Sequence, residues 1–486
     1  MNEFSLGITQ PNFYLEQPLT ARKVNIRRTF ALISLGCPKN LVDSERMAGL
    51  LHREGYRMVA EADGADLAVV NTCGFIDDAR AESYQTIEEM LRLKERGRLR
   101  WVIIAGCLAE RDRETLFEKY PELDQLIGVF ARDEIAVAAR QLEAGKGDAA
   151  NLCEAPFGPF RQISCVPFSR FRPPASPPLT DNDRRRITLP HVAYLKIAEG
   201  CNRLCSFCSI PRMRGPYSSK PIDRVAAEAE ELVADGVREL VLVAQDTTFY
   251  GLDIDGRPRL AELLRRLDEV RGLDWIRLMY LYPMHVTDEL IETIAGGKRI
   301  LPYLDIPLQH INDEVLRRMR RRVGREDTKK LIDRLRERIE SLVLRTTMMT
   351  GFPGETEEQF EELVEFVRRR RFERLGVFDF RDEPGTPSVE LDGHLPKDVR
   401  VARRDRLMAV QQEITFEWNA SWVGKRLEAI IDRRVPGREH AYIGRGYADA
   451  PEVDGQVYVT GEGLEPGKIV ACEVVAAKGY DLIAVA

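Results

Sequence analysis

The chain has 486 residues, 44% of them hydrophobic and 31% charged, with 72 basic and 78 acidic side chains for a formal charge of −6. That length exceeds one ordinary core and fits roughly two to four domains, while the composition excludes a disordered chain and contains no apolar run long enough to span a bilayer. The small acidic excess argues against a general binder of nucleic-acid phosphates.

Residues 1–28 carry no periodicity and read as an N-terminal extension. They lack the apolar stretch and cleavage site of a signal peptide, so a cytoplasmic location is expected. The nine cysteines are not spaced like a secreted disulfide framework, and in a reducing compartment they favour metal or redox chemistry. From Phe30 the pattern alternates: FALISL, the helical LVDSERMAGLLHREG, DLAVVNT, the helical DDARAESYQTIEEMLRLKERG, WVIIAG and the helical LAERDRETLFEKY. This order predicts a parallel α/β domain over 29–150, with helices on both faces. Cys37, Cys73 and Cys107 each lie just after a predicted strand, in ISLGC, VVNTC and IIAGC. Loops converge at the C-terminal edge of a parallel sheet, so three thiols can meet there. The plain alternative is that small buried cysteines are common in cores, which three consecutive occurrences make less economical.

Residues 151–189 include FRPPASPPLTDNDRRR, a Pro- and Arg-rich stretch read as a linker. Cys153 and Cys165 fall in it, and neither they nor Cys472 have a partner pattern. Over 190–418 six apolar strands are expected, AYLKIA, ELVLVA, WIRLMYL, PYLDI, LVLRTTMM and RLGVFDF, separated by amphipathic helices. Six units are too few for an eight-fold barrel and suggest a partial (βα)6 barrel. Over 419–486 short runs broken by Gly, Pro and Asp predict a small all-β barrel.

The first central strand runs into EGCNRLCSFC, which sets Cys201, Cys205 and Cys208 at C-x3-C-x2-C spacing. The same spacing would put them on one helix face, as a buried stripe. Gly200, Asn202, Ser206 and Pro211 favour a loop instead. Structural zinc wants four ligands, and the nearest histidine, His191, belongs at the opposite end of the strand. A four-iron cluster on three thiolates leaves one iron open.

This motif, with Phe207 before its last cysteine and a partial (βα)6 barrel around it, resembles the radical S-adenosylmethionine superfamily. The resemblance implies that the open iron chelates the amino and carboxylate groups of S-adenosylmethionine and that one-electron cleavage yields a 5′-deoxyadenosyl radical. It also implies that Phe207 lies near the adenine and that TTMMTGFPGETEEQF borders the cofactor; Gly351 and Gly354 there read simply as a strand-to-helix turn. LGCPKNLVDSE, NTCGFIDDARAES, AGCLAERDRETL and AEGCNRLCSFCSIPRMRG further resemble the methylthiotransferases, from about Leu32 to the C-terminus. That family implies two 4Fe-4S clusters, the second on Cys37, Cys73 and Cys107 supplying or carrying sulfur. S-adenosylmethionine then serves as both methyl donor and radical source, and a C–H bond becomes C–S–CH3.

Such enzymes act on tRNA adenosines or on the β-carbon of an aspartate in the twelfth small-subunit ribosomal protein. GFIDDARAES, LVAQDTTFYG, LYPMHVTDELI, PYLDIPLQHINDEVLRRMRRR and DAPEVDGQVYV resemble the ribosomal-protein branch, and the last domain resembles a TRAM module. From Val423 onward there are eight basic and ten acidic residues, a balance that suits a basic protein partner better than RNA. Of the arginine runs, Arg184–Arg186 belongs to the linker, Arg368–Arg371 suits a helix C-terminus, and Arg320–Arg322 has no assigned role. FDFRDEPGTPS departs from the Tyr-Ser that the family places before its Gly-Thr. The expectation is therefore a methylthiotransferase of a ribosomal protein, with tRNA methylthiolation as the alternative and a non-catalytic, zinc-stabilised nucleic-acid-binding protein as the alternative of a different class. An electron donor is an implied but unidentified partner, and no membrane is. No side chain is nominated as general acid or base, because the cofactor carries the hard chemistry.

Overall fold

The computed structural model describes residues 28–144 and 180–486. The extension, apart from Arg28, most of the linker, and Cys153 and Cys165 lie outside the described residues. The chain divides into two compact units. One takes the residues up to Thr188 with Glu199–Asn202 and Ser209–Ser218; the other takes Leu189–Ala198, Arg203–Cys208 and Ser219–Ala486.

In the first unit β1 (Arg28–Ser34), β2 (Tyr56–Val59), β3 (Leu67–Thr72), β4 (Trp101–Gly106) and β5 (Gln125–Ile127) form one sheet in the order β2-β1-β3-β4-β5. Every neighbouring pair is parallel. Side chains alternate across the strands, so Leu32, Val69 and Ile103 feed one apolar core and Ala31, Val70 and Ile104 feed the other. Both faces are therefore covered, as a buried parallel sheet requires. The short β2 and β5 were not among the expected strands; four and three residues carry too little period to be recognised. The segment read as one helix after β4 breaks at Asp112 into Cys107–Arg111 and Arg113–Lys119. Asp112 leaves helical backbone there and accepts a hydrogen bond from the Tyr84 hydroxyl at 3.1 Å.

The second unit contains all six expected strands, β6 (Val192–Lys196), β7 (Glu239–Val243), β8 (Trp275–Leu278), β9 (Ile300–Asp305), β10 (Val343–Thr350) and β11 (Arg374–Asp379). They form an open parallel sheet in simple sequential order, the partial (βα)6 barrel. Helix Lys397–Ala420 leads to a closed five-stranded barrel of β12 (Arg426–Arg434), β13 (Ala441–Gly446), β14 (Val457–Thr460), β15 (Ile469–Lys478) and β16 (Asp481–Val485). Closure removes the sheet edges.

A buried ionic layer joins this barrel to the central strands. Arg445 donates to Asp432 (2.8 and 3.0 Å) and to Glu239 (2.7 Å), Arg277 donates to Glu239 (2.8 Å), and His191 Nε2 lies 2.9 Å from Asp432. Arg374 donates to Asp449 at 2.7 Å, and the Tyr303 hydroxyl donates to Asp454 at 2.7 Å. The acidic excess counted over the last domain is therefore not a surface property. Asp432, Asp449 and Asp454 are consumed inside by Arg445, Arg374 and Arg345 respectively; only Arg445 of these arginines belongs to that domain, so its remaining acidic and basic residues balance.

Candidate functional site

Three adjacent strands of the first unit, β1, β3 and β4, end side by side, with Ser34 paired to Asn71 and Thr72 to Gly106. Their next turns carry Cys37, Cys73 and Cys107. Cys37 sits at the N-cap of helix Pro38–Arg53, with Pro at the first helical position; Cys107 opens helix Cys107–Arg111. Both sulfurs thus stand where helix N-termini favour negative charge. The loops approach so closely that they require glycine. A Cβ on Gly36, whose φ is +87°, would lie 2.8 Å from Cys73 Cβ and 2.9 Å from its Sγ, and a Cβ on Gly74 would meet the Cys107 backbone at 2.9 Å. Two asparagines brace the edge. Asn40 donates to the carbonyls of Leu35 (2.7 Å) and Asn71 (3.2 Å), while Asn71 donates to Asn40 O (2.8 Å) and Ser44 Oγ (2.7 Å). Cys73 N–H donates to Ser83 Oγ at 3.0 Å.

The three thiols feel one another. Burial, with the charges of Cys37 and Cys107, pushes Cys73 up to about 12. Burial pushes Cys107 up to about 11 with a further contribution from Cys37, against the nearby Arg214. At Cys37 burial acts upward too, but Lys39, Arg214 and the N–H groups of Asn40 and Lys39 outweigh it and the net shift is down. Gathering three thiolates at one buried edge needs a cation, and Arg214 supplies part of it. This side chain, 1% exposed, donates from Nε to Cys107 Sγ (3.3 Å), from Nη1 to Glu199 (2.9 Å), and from Nη2 to Asn40 (3.2 Å) and Asp43 (3.1 Å). Sequence reasoning missed Arg214, Asn40 and Asp43. They stand inside the quoted stretches IPRMRG and CPKNLVDSE, but no spacing rule connects residues so far apart in the chain. Among the described residues no three His, Cys, Asp or Glu side chains converge at metal-ligand distance, so the fit to a cluster rests on the donor set: soft thiolates, helix N-termini and a buried guanidinium suit an iron–sulfur group.

The C-x3-C-x2-C segment is irregular, not helical, which removes the helix-face stripe. Cys201 belongs to the first unit, where its N–H donates to Gly215 O at 3.1 Å; Gly200 has φ +74°, and a Cβ there would meet Pro216 O at 2.1 Å. In the second unit a turn sets Cys205 beside Cys208 through Cys208 N–H donating to Cys205 O at 3.2 Å. Ser206 ties this turn down by donating to Arg318 O (2.8 Å) and Met319 O (3.0 Å) and by accepting from Ser388 N–H (2.9 Å), at the end of FDFRDEPGTPS. Arg203 donates to Asp246 at 2.7 Å and stacks on Tyr282 at 4.2 Å. LVAQDTTFYG and LYPMHVTDELI therefore meet the cysteine loop at the C-terminal strand ends. Phe207 is half-buried and edge-on to Phe352 (6.3 Å), inside a cluster with Met349, Val315 and Phe380. Gln245, two residues past β7, has both amide atoms buried without a hydrogen-bond partner among the described residues. An unsatisfied buried amide calls for a polar ligand, and S-adenosylmethionine has the groups to answer it. Tyr280, His285 and Gln309, in the loops after β8 and β9, hold left-handed backbone at φ +59°, +64° and +74°, strain of the kind that collects at functional sites. His191 is bound to Asp432, at the opposite end of β6 as expected.

Family comparisons match residues 29–128 to "Uncharacterized protein family UPF0004", 195–367 to the Radical SAM superfamily and 423–486 to the TRAM domain. The ribosomal protein uS12 methylthiotransferase RimO of Thermoanaerobacter sp. (strain X514) is 44% identical over 463 residues, covering 94% of this chain and 99% of that protein. The protein of the same name from Myxococcus xanthus (strain DK1622) is 43% identical, with 94% and 91% covered. Among solved structures, the radical S-adenosylmethionine methyltransferase TsrM from Kitasatospora setae, with cobalamin and a [4Fe-4S] cluster bound, superposes with a TM-score of 0.54 at 17% identity, over 74% of this chain and 77% of that one; that likeness concerns the fold.

Proposed function

The chain belongs to the ribosomal protein uS12 methylthiotransferase family, and on that premise we propose that it converts a β-carbon C–H bond of an aspartate in uS12 into C–S–CH3. It is a radical S-adenosylmethionine enzyme. We assign one 4Fe-4S cluster to Cys201, Cys205 and Cys208, a second to Cys37, Cys73 and Cys107, and the adenine contact to Phe207. We take 29–150 as the sulfur-handling domain, 151–189 as a linker, 190–418 as the radical domain and 419–486 as the TRAM-like barrel. No helix among the described residues is long and apolar enough to cross a membrane, and a cytoplasmic site of action fits a ribosomal substrate.

The observation that carries the sulfur-inserting reading is the second thiol set, three cysteines on three neighbouring strand ends where glycine alone lets the turns meet. A radical enzyme that only abstracted hydrogen would need one cluster. The bound groups supply one-electron cleavage of S-adenosylmethionine, hydrogen abstraction and sulfur. The chain's own residues do the rest. Arg214 holds the Cys107 sulfur and spreads positive charge over the buried thiol edge. Arg203 and Asp246 pin the cysteine loop against the strand ends. Gln245 presents an unsatisfied amide for a polar cofactor group, and Phe207 with Phe352 offers an apolar wall for a flat base.

The deciding experiment incubates anaerobically reconstituted enzyme and S-adenosylmethionine with purified uS12 and, separately, with tRNA. A methylthio mass gain on uS12 is expected; a gain on tRNA alone would overturn the substrate assignment.

A further inference from the structure

The arginine run after helix Asp313–Arg318 has no part in the chemistry above. Leu204, Arg317, Arg320, Arg321 and Arg322 line a shallow depression of about 340 Å³ in the second unit. Leu204 is 47% exposed and immediately precedes Cys205. Arg321 reaches inward, with Nη1 4.0 Å from Cys205 Sγ and its guanidinium 4.2 Å from the centre of the Tyr282 ring. Arg317 is paired with Glu314. Arg320 and Arg322 are exposed and form no ion pair among the described residues, and left-handed backbone at Arg320 (φ +56°) turns the chain at the rim.

We propose that this depression docks an acidic, low-potential one-electron carrier protein, of the flavin or iron–sulfur kind, which delivers the electron consumed in cleaving S-adenosylmethionine. The inference rests on the radical reading above. An exposed apolar side chain ringed by guanidinium groups matches a protein surface whose apolar spot is rimmed by carboxylates, and it does so one residue from a cluster cysteine, where electron transfer needs its donor. The chain carries a net charge of −6, so an acidic carrier gains from meeting a local cationic spot such as this one, which lies beside the cysteine loop. An RNA strand is the weaker fit, because such sites add aromatic platforms to an extended basic groove, and among the described residues no aromatic lines this depression. In the transfer the carrier is oxidised by one electron and the cluster on the cysteine loop is reduced by one; no covalent bond or proton changes place.

The test compares reconstituted wild-type enzyme with an Arg320→Glu/Arg322→Glu variant, leaving Arg321 intact because it reaches Cys205. Oxidised flavodoxin and a plant-type ferredoxin serve as separate binding probes by fluorescence anisotropy, their reduced forms as electron donors in stopped-flow absorbance, and dithionite as a donor that needs no docking. At low salt the variant is expected to bind and to be reduced by at least one carrier about tenfold or more weakly and slowly, with the difference shrinking as salt rises. Its reduction by dithionite is expected to match wild type. Should the glutamate variant fail to fold, Arg320→Gln/Arg322→Gln is read in its place. Equal binding and reduction of variant and wild type by both carriers would overturn the proposal, as would failure of both carriers to bind wild type, or a loss confined to binding of single-stranded RNA. If wild-type enzyme with dithionite and S-adenosylmethionine makes no 5′-deoxyadenosine, the radical reading falls and takes this inference with it, a result distinguishable from all the others.

Discussion

Replacing Arg214 by Met should cost the protein about 3 kcal/mol and weaken the thiol edge it serves. The guanidinium donates to Cys107 Sγ at 3.3 Å, Glu199 at 2.9 Å, Asn40 at 3.2 Å and Asp43 at 3.1 Å. Removing one partner of a buried ion pair costs about 3–5 kcal/mol, because the remaining charge stays desolvated. The lower end applies here, since Asp43 keeps Arg132 as a second cation while Glu199 gives up a 2.9 Å pair. Lysine retains the charge, but one ammonium cannot span acceptors that a planar fork reaches together, so Arg214→Lys should lose roughly half as much. Urea unfolding of the apoprotein, with hydrogen exchange resolving the first unit, measures both losses. In the iron-loaded protein the cluster on Cys37, Cys73 and Cys107 should become harder to reduce, because a neighbouring positive charge has gone; spectroelectrochemistry reads this without any turnover. If both variants unfold within about 0.5 kcal/mol of wild type, in the range of ordinary surface substitutions, and the potentials do not move, Arg214 does not hold this edge together.

Cys201→Ala is expected to abolish 5′-deoxyadenosine formation, whereas Cys73→Ala should still cleave S-adenosylmethionine but insert no sulfur; full turnover by the Cys73 variant would remove the second site's role. Gln245→Ala should weaken S-adenosylmethionine binding about tenfold, the equivalent of one or two hydrogen bonds, without lowering the melting temperature, because its amide has no partner to lose among the described residues. A drop in stability without a change in affinity would make it a packing residue. Although burial opposes ionisation at Asp432 and Glu239, Arg445 on both, with His191 on Asp432 and Arg277 on Glu239, holds each carboxyl below its usual range. A depressed carboxyl stabilises the fold above its unfolded value, and that stability is lost as pH falls through the folded one. Acid unfolding of the second unit should therefore steepen below about pH 4, near ordinary carboxyl values. Asp432→Asn should be less stable at pH 7 and flatter in acid, and parallel wild-type and variant curves would contradict this.

The strands that organise the molecule were legible as apolar runs between turn residues, all six of the central sheet and the three that carry the cysteines, while the last barrel was legible from its short runs broken by Gly, Pro and Asp. Cys37, Cys73 and Cys107 could be grouped from sequence because a parallel sheet turns a repeated position in the chain into one edge in space. What stayed hidden depends on approach rather than period. Gly36 reads as an ordinary turn glycine, and only the fold shows that Cys73 occupies the space its side chain would need. Arg214 reads as the end of a short basic stretch, yet it is buried against residues from the opposite end of its unit's sequence. Gln245 lies in the quoted stretch LVAQDTTFYG, but nothing there singles it out, because what distinguishes it is a buried amide with no partner among the described residues.

The last barrel shows how composition misleads when burial is ignored. Counted in the sequence, it is slightly acidic, which seemed to suit a basic ribosomal substrate. In the fold, Asp449 of the branch-specific stretch DAPEVDGQVYV faces Arg374, Asp454 of the same stretch faces Arg345 and accepts from the Tyr303 hydroxyl, and Asp432 faces Arg445 and His191. These acids hold the barrel against the central sheet. They are spent on architecture and are not offered to a partner. A stretch that marks the ribosomal-protein branch thus acts here by fixing where the barrel sits, while its outward charge is balanced. A long-range field from this barrel therefore does not account for a preference for uS12 over an RNA, because the barrel's own folding has cancelled it.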